Sequence, residues 1–415
     1  MTDVTAPHSY AGRPPRQLAA LQNALIWAIG ATGSVVLVEP SLYEVALLSA
    51  MVLFMASGLR LHLMFMPMIA LLIVVNLGYT ICASALLGQK PVAMWIATSW
   101  YMAASVVFFA MLFSEETEAR LSILRRGLIW GGVLTSLLGI AGYLHLFPGA
   151  YDHFTLYGRA RGGFKDPNVL GAYLILPAIF LLQDLVTEKF GRALRSAILL
   201  GIITLAIFLA FSRAAWGQLV ATGAFFLLLT FITSQSSAQR ARVVLMTLAA
   251  VIAAAMMLAI LLSIDSIADV FKQRASFDQS YDSGRFGRFG RYVLGFQMAL
   301  DKPFGIGPLQ FTQYFPEDTH NSFLNAFMSG GWISGITYPA LIFSTVAYGF
   351  RCVFLPVPWQ RAYLVMFTAF LGTVAESFII DTDHWRHFWL MLGAMWGMFA
   401  AANIYMARNP RIGTA

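Results

Sequence analysis

The segment SGRFGRFGRYVLGF (residues 283–296) sets Arg285, Arg288 and Arg291 three residues apart. On a helix that spacing puts all three guanidiniums on one side, where together they suit a multiply charged anion. The apolar positions of YVLGFQMAL continue at helical spacing, so the segment reads as an amphipathic helix lying on a bilayer surface. Contact with lipid headgroups is the plain alternative for these arginines. Arg213, in FSRAAWG (residues 211–217), interrupts two apolar runs with no acidic neighbour in sequence. At the centre of a span an arginine costs about 2.5–3.5 kcal/mol on insertion scales. At a turn it costs less and still needs an anionic partner, either a ligand or a carboxylate such as Glu376. In ARGGFKDPNVLGAY (residues 160–173), Arg161 and Lys165 precede a helix start with Asp166 as N-cap, Pro167 at the first helical position and Asn168 next. EDTHNSFLNAF (residues 317–327) is a similar start, with Thr319 or Asn321 as the cap. His320 beside it has an ordinary pKa of about 6.5 and can take a proton from a hydroxyl at neutral pH; a capping role is the bland alternative. DTDHWRH (residues 381–387) offers Asp381, Asp383, His384 and His387 either to a divalent ion or, the preferred reading, to hydrogen bonds at a helix start.

These residues sit in a very apolar chain. Of 415 residues, 59% are hydrophobic and 11% charged, with mean hydropathy +0.70. A soluble domain carries about 25% charged residues, so the elements that position the polar groups are membrane spans. Apolar runs of about 20 residues without alternation predict helices and exclude a membrane barrel. The formal charge of +7 is small and scattered, which gives no footprint for nucleic acid. Cys82 and Cys352 are too few and too far apart for a disulfide framework or a metal site. The polar first 17 residues, with Arg13 and Arg16, read as a tail before an uncleaved first span.

The expected fold class is an all-α polytopic membrane protein of about twelve transmembrane helices. Spans fall near 18–38, 41–58, 63–83, 93–113, 127–147, 169–186, 196–211, 214–233, 243–263, 321–350, 360–380 and 385–406. The expected organisation is a cytoplasmic tail 1–17, nine spans over 18–263, a long outward-facing loop 264–320 with short amphipathic helices, three spans over 321–406 and a cytoplasmic tail 407–415. With both termini inside, 15 of the 27 Lys and Arg lie inside, and every inside loop has at least one. Ten of the other twelve cluster at 159–165, at Arg213 and in the long loop, against the insertion bias. Spans six, eight and ten then all start on the outer face, where their free N–H groups and dipoles add to the arginines as an anion site. A secondary transporter or flippase is a distant alternative, since the halves show no repeat and the polar residues lie on one face.

FSRAAWG, GRFGRYVLGFQMALDKPFGIGPLQF and THNSFLNAFMSGGWISG, in this order, resemble the signature of the O-antigen ligase and O-antigen polymerase superfamily; RGGFKDPNVLGAYL resembles the family's preceding segment. The resemblance covers residues 155–340. Phe304 stands for the usual Leu of the turn and Tyr292 for the usual Trp, and counting back from Pro303 makes Arg288 the family arginine. The resemblance implies a metal-independent, inverting glycosyltransferase of the bacterial inner membrane that needs no cofactor and has its active site on the periplasmic side. Its donor would be a glycan on undecaprenyl diphosphate. Its acceptor would be a lipid A core sugar in a ligase, or a growing polysaccharide in an O-antigen or exopolysaccharide polymerase, with ligase placed ahead. Arg213 and Arg288 would hold the diphosphate and His320 would be the base. Arg161, Lys165, Asn168, Arg285, Arg291, Tyr292 and Asn321 would surround the substrate.

Overall fold

The computed structural model describes residues 15–275 and 284–410. Residues 1–14, 276–283 and 411–415 lie outside the described residues, and with them Arg13, Arg411, most of both expected tails and part of the long loop. In chain order the helices are α1 (Arg16–Thr32), α2 (Leu42–Ala56), α3 (Met66–Cys82), α4 (Lys90–Ser114), α5 (Thr117–Tyr143), α6 (Ala150–Phe154), α7 (Pro167–Thr187) and α8 (Phe190–Leu209). They continue as α9 (Arg213–Thr233), α10 (Ser237–Leu262), α11 (Asp265–Ala275), α12 (Arg288–Asp301), α13 (Ser322–Cys352), α14 (Gln360–Glu376) and α15 (Arg386–Arg408). The chain is an all-α polytopic membrane protein. Among the described residues, nine helices are long and apolar enough to cross a membrane. The remaining expected spans are occupied by α1, α2 and α14, which have only 15 to 17 residues, short of the roughly 20 a perpendicular span needs.

Lipid offers apolar side chains no less than the core does, so helices in a membrane associate through close backbone approach and shape. At the crossing of α1 and α5, a Cβ on Gly30 would lie 2.6 Å from the Leu124 carbonyl oxygen. α7 and α15 are buried through most of their length, whereas α10 lies at the periphery.

The starts of the helices follow their sequence. The Asp166 side chain accepts from the Asn168 N–H, with Pro167 at the first helical position of α7. The Ser212 side chain caps α9 through the Ala215 N–H. Of the two residues proposed to cap α13, Asn321 does so, accepting from the Phe323 and Leu324 N–H groups.

The PFGIG turn has a clear physical task. α13 is broken at Gly331, whose φ of 62° and ψ of −161° interrupt the helical ladder. Exposed backbone groups at such a break are costly in an apolar setting, and the turn before α13 satisfies them. The Trp332 N–H donates to the Pro303 carbonyl (2.8 Å), and the Met328 carbonyl accepts from Ile306 (2.8 Å) and Gly307 (3.1 Å). The Trp332 indole N–H closes the join on the Ala299 carbonyl at 2.7 Å. The end of α12 is thereby locked to the bend of α13.

α12 differs from the expected arginine helix. It starts at Arg288, and Arg285 sits in the preceding turn, because Gly284 (φ 83°) and Gly287 end the helical path there. The three arginines therefore do not share a helix side. Arg291, Gly295 and Ala299 face inward, while Phe289, Val293, Phe296 and Leu300 form an exposed apolar stripe. That stripe is the face an amphipathic helix would give a bilayer.

Candidate active site

Three helix starts and the turn between α8 and α9 meet at one end of the bundle. FSRAAWG makes that turn. The Trp216 indole N–H donates to the Ile207 carbonyl (3.1 Å), one of the last carbonyls of α8, which lack helical partners. Its ring stacks on Phe208 and Phe271, with centroids 5.5 and 5.2 Å away. Arg213 is then fixed at the first position of α9.

A two-residue hairpin supplies another arginine. Thr155–Leu156 (β1) pairs antiparallel with Arg159–Ala160 (β2). The positive φ of Tyr157 (51°) and Gly158 (70°) suits a type I′ turn. Arg159, 8% exposed, donates from Nε to the Ala210 carbonyl (2.8 Å) and from a terminal nitrogen to Asn168 Oδ1 (2.7 Å). It ties together the end of α8 and the start of α7.

His320 is held through its backbone. Its φ of 47° is left-handed, a conformation that typically costs about 1–3 kcal/mol in a residue other than glycine. The Asp381 carboxylate offsets this by accepting from the His320 N–H (2.9 Å), the Asn321 N–H (2.9 Å) and the Thr319 hydroxyl (2.8 Å). The Tyr292 hydroxyl donates to the His320 carbonyl at 2.6 Å. From the imidazole Nδ1 to Asp381 Oδ2 is 3.9 Å, beyond hydrogen-bond reach, so Asp381 positions the backbone and does not hold the ring. Burial, and then the Arg288 and Arg291 guanidiniums, hold the imidazole pKa below its ordinary value of 6.5, while Glu317 and Asp318 pull the other way. At neutral pH the ring is an uncharged base.

Arg159, Asn168, Arg213, Arg274, Arg288, His320 and Glu376 line one cavity of about 600 Å³, which continues between α9 and α14 past Gln218 and Gly372. Four arginines face one carboxylate among its lining residues. With the Gln218 amide turned to satisfy its neighbours, its nitrogen donates to Glu376 Oε2 (2.8 Å) and its oxygen accepts from Thr373. One Glu376 oxygen thus meets Gln218, while Oε1 has no hydrogen-bond partner among the described residues.

Residues 198–338 match the family model described as O-antigen ligase. Over that stretch the chain is similar to the O-antigen ligase family. No curated protein matches the chain. The matched segment holds Arg213, Arg288, Arg291, Tyr292 and His320; Arg159, Asn168 and Glu376 reach the same site from outside it. The chain as a whole is a multi-pass membrane protein, and the matched segment is what it shares with O-antigen ligases.

Of the residues expected at the ligase or polymerase site, the structure brings Arg213, Arg288, His320 and Asn168 to the cavity and leaves others away from its wall. Arg161 is half-buried and donates to the Asp152 and His153 carbonyls, and Lys165 pairs with Glu39 at 3.1 Å. Arg285 is exposed, with its guanidinium 5.7 Å from the Phe286 ring centre. Arg291 is 2% exposed behind the wall, where it pairs with Glu317 (2.8 Å) and donates to the Phe286 carbonyl (2.9 Å). Asn321 is the helix cap, and Tyr292 acts through the His320 carbonyl.

DTDHWRH takes up the hydrogen-bonding role. Asp381 grips the 319–321 backbone, and Asp383 accepts from Asn325 Nδ2 (2.9 Å) beside His384 Nδ1 (3.2 Å). Among the described residues, no group of three or more His, Cys, Asp or Glu is placed to hold a metal ion. Sequence reasoning missed Arg159, Arg274, Gln218 and Glu376 as cavity residues. Only Arg159 had a local signal, the Tyr-Gly pair that begins a tight hairpin turn.

Proposed function

We propose that the protein transfers a glycan from undecaprenyl diphosphate to a sugar hydroxyl at the periplasmic face of the bacterial inner membrane. The single observation behind this reading is the cavity lined by four arginines and His320. The acceptor oxygen attacks the anomeric carbon, and the bond from that carbon to the diphosphate oxygen breaks with inversion. The hydroxyl proton passes to His320, and undecaprenyl diphosphate leaves. Negative charge grows on the departing diphosphate, and Arg213 and Arg288 are the fixed donors that stabilise it, with Arg159 and Arg274 adding positive field. Removing one preorganised donor of this kind typically costs about 10²–10³ in rate. The basic loops counted inside set the orientation: N- and C-termini cytoplasmic, residues 264–320 periplasmic, with the polyprenyl tail between apolar spans.

We place transfer to a lipid A core sugar, in lipopolysaccharide assembly, ahead of polymerisation. Deleting the gene in its host tests this choice, with complementation by wild type, Arg213→Ala, Arg288→Ala and His320→Ala at matched membrane levels. Long glycan missing from lipid A while polymer accumulates on its carrier supports the ligase. Single-repeat attachment, or loss of exopolysaccharide, shows a polymerase. Normal complementation by all three variants overturns the site itself.

A further inference from the structure

A second large cavity, about 660 Å³, lies at the opposite end of the bundle, between α1, α5, α7 and α8. Its composition is divided. One end carries Arg125, Arg126, Arg192 and Arg195 with Asp184 and Glu188; the other is an apolar trough along α5 and α8. Trp27 and Trp130 stand at its side with ring centroids 5.5 Å apart, brought together by the close crossing of α1 and α5 at Gly30. Both acids are spoken for, Asp184 by Arg125 and Glu188 by Arg192. Among the described residues, Arg126 and Arg195 have no carboxylate within 4.0 Å; both are exposed at the mouth, and the Arg126 Nε only reaches the Ser122 carbonyl of its own helix at 3.4 Å.

Two uncommitted guanidiniums above an apolar trough match a molecule with an anionic head and a hydrocarbon tail. Free phosphate would use the arginines and leave the trough without a purpose. Paired tryptophans also favour the level where lipid headgroups meet chains. We propose that this cavity binds one anionic phospholipid, with its phosphate between Arg126 and Arg195 and one acyl chain along Trp130, Leu134 and Leu137. This lipid is separate from the substrate, whose cavity opens at the other end of the bundle.

The tryptophans make the site readable. Full-length protein in detergent is titrated with phosphatidylglycerol or phosphatidylcholine carrying brominated chains, which quench indoles they touch. The expected result is saturable quenching at concentrations about tenfold lower for phosphatidylglycerol, lost in Trp27→Phe/Trp130→Phe. Arg126→Gln/Arg195→Gln should weaken phosphatidylglycerol about 30-fold, from roughly a fivefold contribution per arginine. If that double variant loses thermal stability, Arg195→Gln alone should show about a fivefold loss. Equal quenching by the two lipids, or unchanged affinity in the arginine variants, overturns the proposal. Displacement of phosphatidylglycerol by inorganic phosphate alone also overturns it, because the cavity would then be an anion site that needs no chain.

Discussion

Asp381→Asn isolates how His320, the proposed base, is placed. The substitution keeps size and shape but gives one carboxylate position an NH₂ group, which cannot accept. In one orientation the His320 N–H loses its acceptor at 2.9 Å, and in the other both the Thr319 hydroxyl and the Asn321 N–H lose theirs. Leaving a buried donor without its acceptor costs about 1–3 kcal/mol, similar to the roughly 1–3 kcal/mol that the left-handed backbone of His320 costs. With one such bond gone, the placed conformation is no longer favoured, and turnover should fall about 10- to 100-fold. The assay follows acceptor-dependent release of undecaprenyl diphosphate at varied donor concentration. Because Asp381 does not line the cavity, kcat should fall while donor KM stays within about threefold, and Thr319→Val should show a smaller loss of the same kind. Turnover within twofold of wild type in Asp381→Asn, or a loss confined to KM, would refute the positioning argument.

Other consequences follow from neighbouring contacts. The acid limb of kcat/KM should have an apparent pKa below 6.5, since the neighbouring guanidiniums and burial disfavour the imidazolium; Glu317→Gln removes a stabilising negative charge and should move that limb lower still, and a limb above pH 7 would contradict the assignment. Glu317→Ala should lower thermal stability more than Arg291→Met, although Glu317 is the more exposed partner, at 47% against 2%. Removing the carboxylate strands a buried guanidinium at roughly 2–3 kcal/mol, scaled down for that exposure from the ~3–5 of a fully buried pair; unfolding midpoints in detergent give the order. Gly331→Ala places a Cβ against the Pro303 carbonyl oxygen and 2.7 Å from the Phe304 carbonyl carbon at a positive φ, so it should loosen the α12–α13 join, read as faster hydrogen exchange at Ile306 and Trp332.

What the sequence made legible was local. Spans show in apolar runs because each must satisfy its own backbone in lipid, and the starts at Asp166 and Asn321 show because a cap and its recipient N–H are at most three residues apart. Arg213, Arg288 and His320 stand out as polar residues in an apolar chain. Tertiary partners hid the rest. Nothing near Arg291 announces Glu317, 26 positions on, so a structural arginine looks like Arg288, its neighbour on the cavity wall. Arg159 and Arg161 are two residues apart, yet one is buried against the end of α8 and the other is half-buried on the His153 carbonyl. The threefold arginine spacing failed as a helix signal because the turn at Gly284–Gly287 ends the helix between Arg285 and Arg288. Glu376 was visible as a carboxylate that could meet Arg213, but its setting depends on Gln218, on a helix more than 150 residues away in sequence.

The most direct test of the central claim is single-turnover transfer by purified protein, with donor binding measured separately, comparing wild type with His320→Ala and Arg288→Ala. His320→Ala should bind the lipid diphosphate donor near normally and transfer about 10²–10⁴ times more slowly, as for loss of a general base. Arg288→Ala should lose about 10²–10³ in rate, as for loss of an oxyanion donor. Transfer by His320→Ala within tenfold of wild type, with donor binding intact, would contradict the account.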